Sequence, residues 1–336
     1  MRIFVIGNGF DLQHGLKTNY KDFLDYCKAI KSGGNANNRG ANKLAKELKE
    51  TNPEMYKDFV KLSDCFWIRY IESVRSNIGD KWIDFETTIE KVVKDIWKDR
   101  EANGIEDSLS IETCRKYIAK ENIITYAEFF EYLSEELQKL KHALEIYLDY
   151  HVNHHIHEDK RMALFMNLVA PDKLLSFNYT ETFSILYGGI LDYDYIHGIA
   201  NMNHRIEDCN LVLGFDDHYL NNNAVLELVP FEKYYQRIIN GTGAKYTEWL
   251  REKDEHGQII EREVFFYGHS MSPADGDILK AIIKSPNTKC HILYRKGHNE
   301  DRAEMVKNLA VVLGPEELIK RTGNGTATIF FMEVAV

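Results

Sequence analysis

The chain opens with an apolar run that ends in two closely spaced glycines. Residues 2–6 read Arg-Ile-Phe-Val-Ile, and Gly7-Asn-Gly9 follows, with Asp11 shortly after. A buried strand that ends in glycines lets the backbone turn sharply and approach a ligand's phosphates, because no Cβ stands in the way. The third glycine of the dinucleotide-binding fingerprint is missing, since Leu12 stands in its place. The motif alone predicts either a nucleotide-binding loop or a plain strand-to-loop turn.

The composition indicates a globular protein and disfavours nucleic acid as a partner. Of its 336 residues, 44% are hydrophobic, which suffices for a substantial core. The formal net charge of −10 opposes a surface that neutralises a phosphate backbone. No apolar run is long enough to cross a membrane, and the first strand leaves no room for a signal peptide before it. We therefore expect a cytoplasmic protein with neither a nucleic-acid nor a membrane partner.

The cysteines and histidines show no recognisable metal-binding spacing. The cysteines are scattered without a Cys-x-x-Cys pair, which predicts neither a disulfide framework nor a thiolate zinc site. His151, His154 and His155 share one face at the end of a long helical stripe, but no carboxylate or cysteine completes the set. We expect buried, reduced thiols and no metal.

The sequence changes character along its length. From residue 41 to about 160, apolar residues recur every three or four positions, which predicts a helical block. Beyond residue 170, short strand-like runs alternate with helical patterns, which favours a mostly parallel sheet covered on both faces. We therefore predict an α/β fold, a Rossmann-like mostly parallel sheet with a large α-helical insertion. The predicted sheet domain comprises residues 1–30 and 165–336, and the predicted insertion comprises residues 41–164.

The predicted strands beyond the helical block are short and end in polar or glycine-containing turns. They are residues 174–177, 193–196, 211–213, 264–267 and 290–294, with 328–332 as an edge strand. Residues 32–43, which are rich in turn formers, are predicted to be a mobile loop.

Small or polar residues follow most of these predicted strands. Ligands of open α/β sheets bind at the carboxyl ends of the strands, so this recurrence predicts one shared pocket. The residues concerned are Gly7, Asn8, Gly9 and Asp11, then Asn178 and Thr180, then His197 and Gly198, then Gly214 and Asp216, and finally Gly268, His269 and Ser270.

A set of short motifs is distributed over nearly the whole chain. They are Ile6-Gly-Asn-Gly-Phe-Asp-Leu12, His14-Gly-Leu-Lys-Thr-Asn-Tyr-Lys-Asp-Phe23, Trp82-Ile-Asp-Phe-Glu86, Ser176-Phe-Asn-Tyr-Thr180, Ile196-His-Gly198 and Gly268-His-Ser-Met271 with Asp275. In combination they resemble the bacteriophage abortive-infection AbiH family. That family is in turn distantly similar to the sirtuin-like NAD-binding fold.

The sirtuin-like resemblance implies a role for each strand-end residue. It implies that Asn178 lies beside the nicotinamide ribose and that His197 is the catalytic histidine. Thr180 departs from the pattern, because an acidic residue usually stands there. The paired cysteines of the sirtuin zinc module are absent, which disfavours protein deacylation. The residues expected to bind the nucleotide are Gly7, Asn8, Gly9, Phe10, Asp11, Gly198, Gly268, Ser270 and Asp275.

The chemistry expected of such a site is cleavage of NAD, as substrate, into nicotinamide and ADP-ribose through an oxocarbenium-like transition state. Asn178 can hold ribose hydroxyls or a water, and His197 can accept a proton near neutral pH. Asp11 either binds a ribose hydroxyl or caps the next turn. Asp275 is expected at a helix start near the adenosine half.

Two other functions remain open at this point. The first is a non-enzymatic module of a phage defence system that binds a small-molecule nucleotide as a sensor. The second is a nuclease, which the acidic composition and the lack of a clustered carboxylate motif disfavour. A phage-derived trigger and self-association leave no mark in the sequence.

Overall fold

The computed structural model describes residues 1–78, 84–103, 125–157, 171–188, 192–216, 226–323, 325 and 327–335. The chain divides into two compact units. The domain boundaries expected from the sequence stay a prediction. The first unit comprises Met1–Lys17, Val152–Ile199 and Asn240–Val336, and the second comprises Thr18–His151 and Ala200–Ile239.

The first unit is built on a parallel sheet of six strands, which confirms the predicted α/β fold. In chain order the strands are β1 Arg2–Ile6, β2 Lys173–Ser176, β3 Tyr193–Tyr195, β4 Arg262–Tyr267, β5 Thr288–Arg295 and β6 Ile329–Val334. Their spatial order is β3-β2-β1-β4-β5-β6. This is the order of doubly wound dinucleotide-binding sheets, in which the direction of winding reverses next to the first strand. The reversal here lies between β1 and β4, where such sheets open a crevice for ligands.

The strand register places three turns at the same edge of the sheet. Ile6 is paired with Ser176 on one side and with Tyr267 on the other. The residues that follow these three positions therefore leave the sheet side by side at its carboxyl edge. This register brings together the turns that begin at Gly7 and Gly268.

The described residues of the two units form the following α-helices. They are α1 Asn8–Gln13, α2 Tyr20–Lys31, α3 Arg39–Thr51, α4 Pro53–Leu62, α5 Phe66–Ile78, α6 Phe85–Asn103, α7 Tyr126–His151, α8 Thr182–Tyr187, α9 Lys233–Asn240, α10 Tyr246–Trp249, α11 Gly276–Ile283, α12 Asn299–Leu313 and α13 Pro315–Thr322. None of them combines the length and the apolar character that crossing a membrane requires.

The core of the first unit lies on both faces of the sheet, because alternate residues of each buried strand point to opposite sides. On one face, Val5 and Ile292 belong to a buried cluster with Leu309 of α12. On the other face, Phe4 belongs to a buried cluster with Phe10 of α1. The two continuous apolar surfaces fix the register, since a slip by one residue would exchange them.

The second unit contains the longest described helix, α7, as the sequence predicts. Its apolar stripe is buried throughout, with Leu133, Leu140 and Leu144 each at most 2% exposed. Burial of this stripe is the main source of the stability of α7, because an isolated helix is only marginally stable in water.

Two sequence predictions in the second unit are wrong. Residues 211–213 are not a strand: the side chain of Gln236 accepts from Leu213 N at 3.0 Å and donates to Leu213 O at 2.9 Å, which replaces strand pairing. Gly214 and Asp216 therefore do not follow a strand of the sheet. The loop predicted over 32–43 ends earlier, because the Asn38 side chain caps α3 by accepting from Ala41 N.

Candidate functional site

The turns after β1 and β4 are in close backbone contact. Gly7 N donates to Tyr267 O at 3.2 Å, and Gly9 N donates to Gly268 O at 2.8 Å. A Cβ on Gly9 would lie 2.8 Å from Gly268 Cα, closer than any side chain tolerates. Gly268 itself adopts a φ of +64°, which favours glycine. These glycines are therefore needed for the packing of one turn on the other, and two amides of the turn after β1 already have protein acceptors.

Asn178 follows β2 and is oriented by the first turn. Its Nδ2 donates to Gly7 O at 3.1 Å, and its backbone N donates to Ser176 Oγ at 3.1 Å. Because a carbonyl can only accept, the amide group must face Gly7 with its nitrogen. Asn178 Oδ1 is buried and accepts no hydrogen bond from the described residues. Such an oxygen is available to a donor on a ligand.

Asp11 lies in α1 and is a buried carboxyl group with an unusual pKa. Its side chain is 1% exposed and accepts a hydrogen bond from Thr180 Oγ1. Burial raises its pKa from 3.8 to about 6, and the hydrogen bond from Thr180 partly offsets that rise. A carboxyl group with such a pKa exchanges its proton near neutral pH, as general acids and bases do. The sequence identified Asp11 but gave no sign of this shift.

His197 follows β3 and faces a carbonyl with one nitrogen and a carboxylate with the other. Its Nδ1 lies 3.2 Å from Phe177 O, and its Nε2 lies 3.2 Å from Asp275 Oδ1. Nδ1 must carry a proton to bond to the carbonyl, so a neutral ring would set a lone pair against the carboxylate. The His197–Asp275 pair can therefore take up one proton, on Nε2 or on the carboxylate. This pairing gives the site a group that accepts and releases a proton at the carboxyl end of β3.

His269 joins the same group of side chains from the turn after β4. Its Nδ1 accepts from Met271 N at 2.9 Å, which leaves the ring proton on Nε2. That Nε2 lies 3.5 Å from Asp275 Oδ2. Asp275 thus lies between two histidines, and each ring faces a different oxygen of its carboxylate through Nε2. The sequence placed Asp275 near a helix start and gave no signal of either histidine partner.

The contacts form a closed ring around the carboxyl ends of the central strands. Asn178 donates to Gly7, and Gly7 packs so closely on His269 that a Cβ would lie 2.8 Å from His269 Cα. His269 faces Asp275, and Asp275 faces His197. His197 then contacts the carbonyl of Phe177, the residue before Asn178. The residues that the sequence assigned to one pocket, Asn178 and His197, are therefore neighbours.

Other predicted nucleotide-binding residues have different surroundings. Phe10 is fully buried, and its ring packs edge-on against Phe4 and Tyr267. Asn8 and Ser270 are exposed. Gly198 forms a turn with a φ of +82°. Phe10 is therefore a core residue, whereas the turn residues lie at the edge of the site.

Histidines outside the ring are mostly structural. His14 is 3% exposed, with Nδ1 at 2.7 Å from Phe10 O and Nε2 at 2.7 Å from Tyr187 Oη, so it is a buried, hydrogen-bonded residue. His151 lies 2.6 Å from Tyr26 Oη in the second unit. Trp82 lies outside the described residues.

The model of a family described as "Bacteriophage abortive infection AbiH" matches residues 3–295. No curated protein and no solved structure gives a match.

Proposed function

The chain belongs to the bacteriophage abortive-infection AbiH family, and from that premise we propose that it acts in abortive infection by hydrolysing NAD to nicotinamide and ADP-ribose. Loss of NAD would stop the metabolism of an infected cell before the phage completes its cycle. The likeness to sirtuin-like proteins, from which this reaction is inferred, stays a prediction.

The observation that carries the proposal is the ring of polar side chains at the switch point of the sheet. Asn178, His197 and Asp275 are each at most 8% exposed, and they meet where doubly wound sheets bind dinucleotides. Buried polar groups cost free energy unless they are paired. Asn178 Oδ1 accepts from none of the described residues, which is explained if a ligand supplies its donor. A purely structural turn has no need of so many titratable groups.

The reaction requires three tasks that these residues can perform. Separation of nicotinamide leaves positive charge on the ribose, which a nearby carboxylate such as Asp11 stabilises. Asn178 can accept from a ribose hydroxyl through Oδ1 while Gly7 fixes its nitrogen. The bond between nicotinamide and ribose breaks with its electron pair going to the ring nitrogen, a water adds to the ribose carbon, and the proton that this water loses passes to the His197–Asp275 pair.

The turn after β1 limits how the pyrophosphate can bind. The amides of Gly7 and Gly9 already donate to protein carbonyls, so they do not form a free phosphate cradle. NAD binding requires either that the bond between Gly9 and Gly268 opens or that the pyrophosphate lies beside this turn. The role of these glycines as a phosphate loop stays a prediction.

The test is to incubate the purified full-length protein with NAD and to measure free nicotinamide. We expect turnover by the wild type, and losses of roughly 10²-fold or more in His197→Ala and Asn178→Ala. His298→Ala is the matched control, because His298 is a half-exposed histidine that also faces a carboxylate, that of Glu300. NAD levels in phage-infected cells should fall with the wild type and not with His197→Ala. Activity that survives His197→Ala contradicts the assigned role.

A second function is that of a nucleotide sensor without turnover. The amides of Gly7 and Gly9 donate to protein carbonyls, so a nucleotide that takes over the Gly9 amide opens the bond to Gly268. Such a module would bind a nucleotide at the same edge and respond by this change in conformation. Calorimetric binding of NAD without release of nicotinamide, weakened by Asn178→Ala, would distinguish it from the enzyme.

A further inference from the structure

A second cluster of ionisable side chains lies within the second unit, separate from the residues assigned to NAD. His142 and Glu145 project from adjacent turns of α7, where residues three apart are neighbours. Cys209 comes from the segment after the short helical turn Ile206–Asp208. One ligand atom of each of these three residues lies within 4.8 Å of the other two, and all three residues are buried.

We propose that His142, Glu145 and Cys209 form a binding site for a zinc-like divalent cation. Imidazole nitrogen, thiolate sulfur and carboxylate oxygen are the ligands that zinc prefers, and their mutual spacing suits a tetrahedral ion with one further position for water. With one thiolate and one carboxylate, the two negative charges balance the charge of the ion. The proposal goes beyond the NAD reaction and does not depend on it.

The carboxylate is held as metal-ligating carboxylates usually are. Glu145 is fully buried, and its Oε2 lies 3.0 Å from His142 Nδ1. Its Oε1 accepts from His204 Nδ1 at 2.7 Å and from Asn201 N at 3.4 Å. Hydrogen bonds from outside the ligand set orient a carboxylate and are characteristic of metal centres. His204 is therefore a positioning residue, which leaves Oε2 for the ion.

Access to the cluster comes from the side of His204. The side chain of His204 is 25% exposed, whereas that of Glu145 is not exposed at all. An ion can therefore reach the cluster by a small displacement of His204, which meets the need for an entry path. Bound there, the ion would tie the segment that carries Cys209 to α7.

The charges around the cluster also bear on the thiol. Burial and the Glu145 carboxylate raise the pKa of Cys209, so without a cation the thiol keeps its proton. Lys141 is buried beside it, and burial lowers the pKa of that lysine. On binding, the sulfur–hydrogen bond of Cys209 breaks, its electron pair binds the cation, and the proton goes to solvent. His142 binds as the neutral tautomer with its proton on Nε2.

The alternative is a hydrogen-bond network in which His142, His204 and the Cys209 thiol donate to Glu145. Cobalt(II) distinguishes the two, because thiolate coordination to cobalt gives a charge-transfer absorption in the near ultraviolet. The full-length protein, stripped of metal by a chelator, would be titrated with Co²⁺ alone, and bound metal would be measured by equilibrium dialysis. We expect one equivalent bound with the thiolate absorption.

Variants locate the site. Cys209→Ser should abolish the charge-transfer absorption and weaken Co²⁺ binding at least tenfold, and His204→Gln should weaken it roughly 10- to 100-fold with the absorption kept. Cys65→Ser is the matched control, because Cys65 is an equally buried thiol of the same unit, and it should bind as the wild type does. If the wild type binds no stoichiometric Co²⁺, or if the absorption persists in Cys209→Ser, the proposal is wrong. The wild-type titration decides even if a variant fails to fold.

Discussion

Replacing Asp11 by asparagine removes a buried carboxyl group whose pKa is raised from 3.8 to about 6. The folded state therefore binds this proton more tightly than the unfolded state does. Stability from this group is present in full below pH 3.8 and is lost as the pH rises through about 6. At 1.36 kcal/mol per pKa unit, the buried charge costs the folded protein about 3 kcal/mol at pH 8.

The pH dependence is the most specific part of this prediction. Between pH 5 and pH 8, the linkage relation gives a loss of about 1.4 kcal/mol from Asp11, a tenfold change in the unfolding equilibrium constant. Asp11→Asn lacks that loss, while its side-chain oxygen can still accept from Thr180 Oγ1. We therefore expect the variant to be more stable than the wild type at pH 8, and its advantage to shrink by about 1.4 kcal/mol at pH 5.

Urea unfolding at the two pH values measures the effect. The matched control is Asp301→Asn, because the ion pair with Arg295 lowers the pKa of Asp301. A lowered pKa has the opposite sign: stability from Asp301 is present above its unfolded pKa and is lost as the pH falls. Asp301→Asn should therefore be slightly less stable at neutral pH. An Asp11→Asn variant whose stability relative to the wild type is the same at both pH values would refute the reasoning.

Three further changes test the packing and the site. Gly9→Ala sets a Cβ against the backbone of Gly268 and should destabilise the protein by about 1–3 kcal/mol in urea unfolding. Gln236→Leu leaves the N–H and the carbonyl of Leu213 without their partner, and it should cost about 2–5 kcal/mol by the same assay. Asp275→Asn removes the carboxylate that faces both histidines and should lower nicotinamide release roughly 10²- to 10⁴-fold with little change in unfolding midpoint.

Each of these three has a control of the same chemistry. Gly323→Ala, whose added Cβ would lie 3.2 Å from Ile319 O and 3.7 Å from Lys320 O, should cost less than Gly9→Ala. Gln258→Leu changes an exposed glutamine, and Asp58→Asn changes an exposed aspartate, so neither should have a comparable effect. Wild-type turnover in Asp275→Asn, or wild-type stability in Gly9→Ala or Gln236→Leu, contradicts the corresponding contact.

Asp11 also separates function from stability. If Asp11→Asn is both more stable at pH 8 and unable to cleave NAD, the stability that the buried Asp11 charge costs is the cost of a group that the reaction needs. If it is more stable and equally active, Asp11 takes no part in the proposed reaction.

Much of the fold could be predicted from short stretches of sequence. The buried strand at residues 2–6 and the stripe of α7 are visible because burial on one or both faces imposes a period on neighbouring residues. The polar residues after the strands, Asn178 and His197 among them, are visible because each interrupts an apolar run. Residues 211–213 mislead because an apolar run has the same composition whether its backbone is bonded to a strand or to the side chain of Gln236.

Only the tertiary structure determined which of these residues meet. The order of the strands puts β4 beside β1. As a result, Gly7 and Gly9 pack against the turn at Gly268. Asp275, which follows that turn, contacts His197. The cluster at Glu145 likewise combines a helix with a segment far along the chain. Local periodicity is set by each residue's neighbours in sequence, whereas strand order and side-chain partners depend on the free energy of packing distant segments together, which no short pattern encodes.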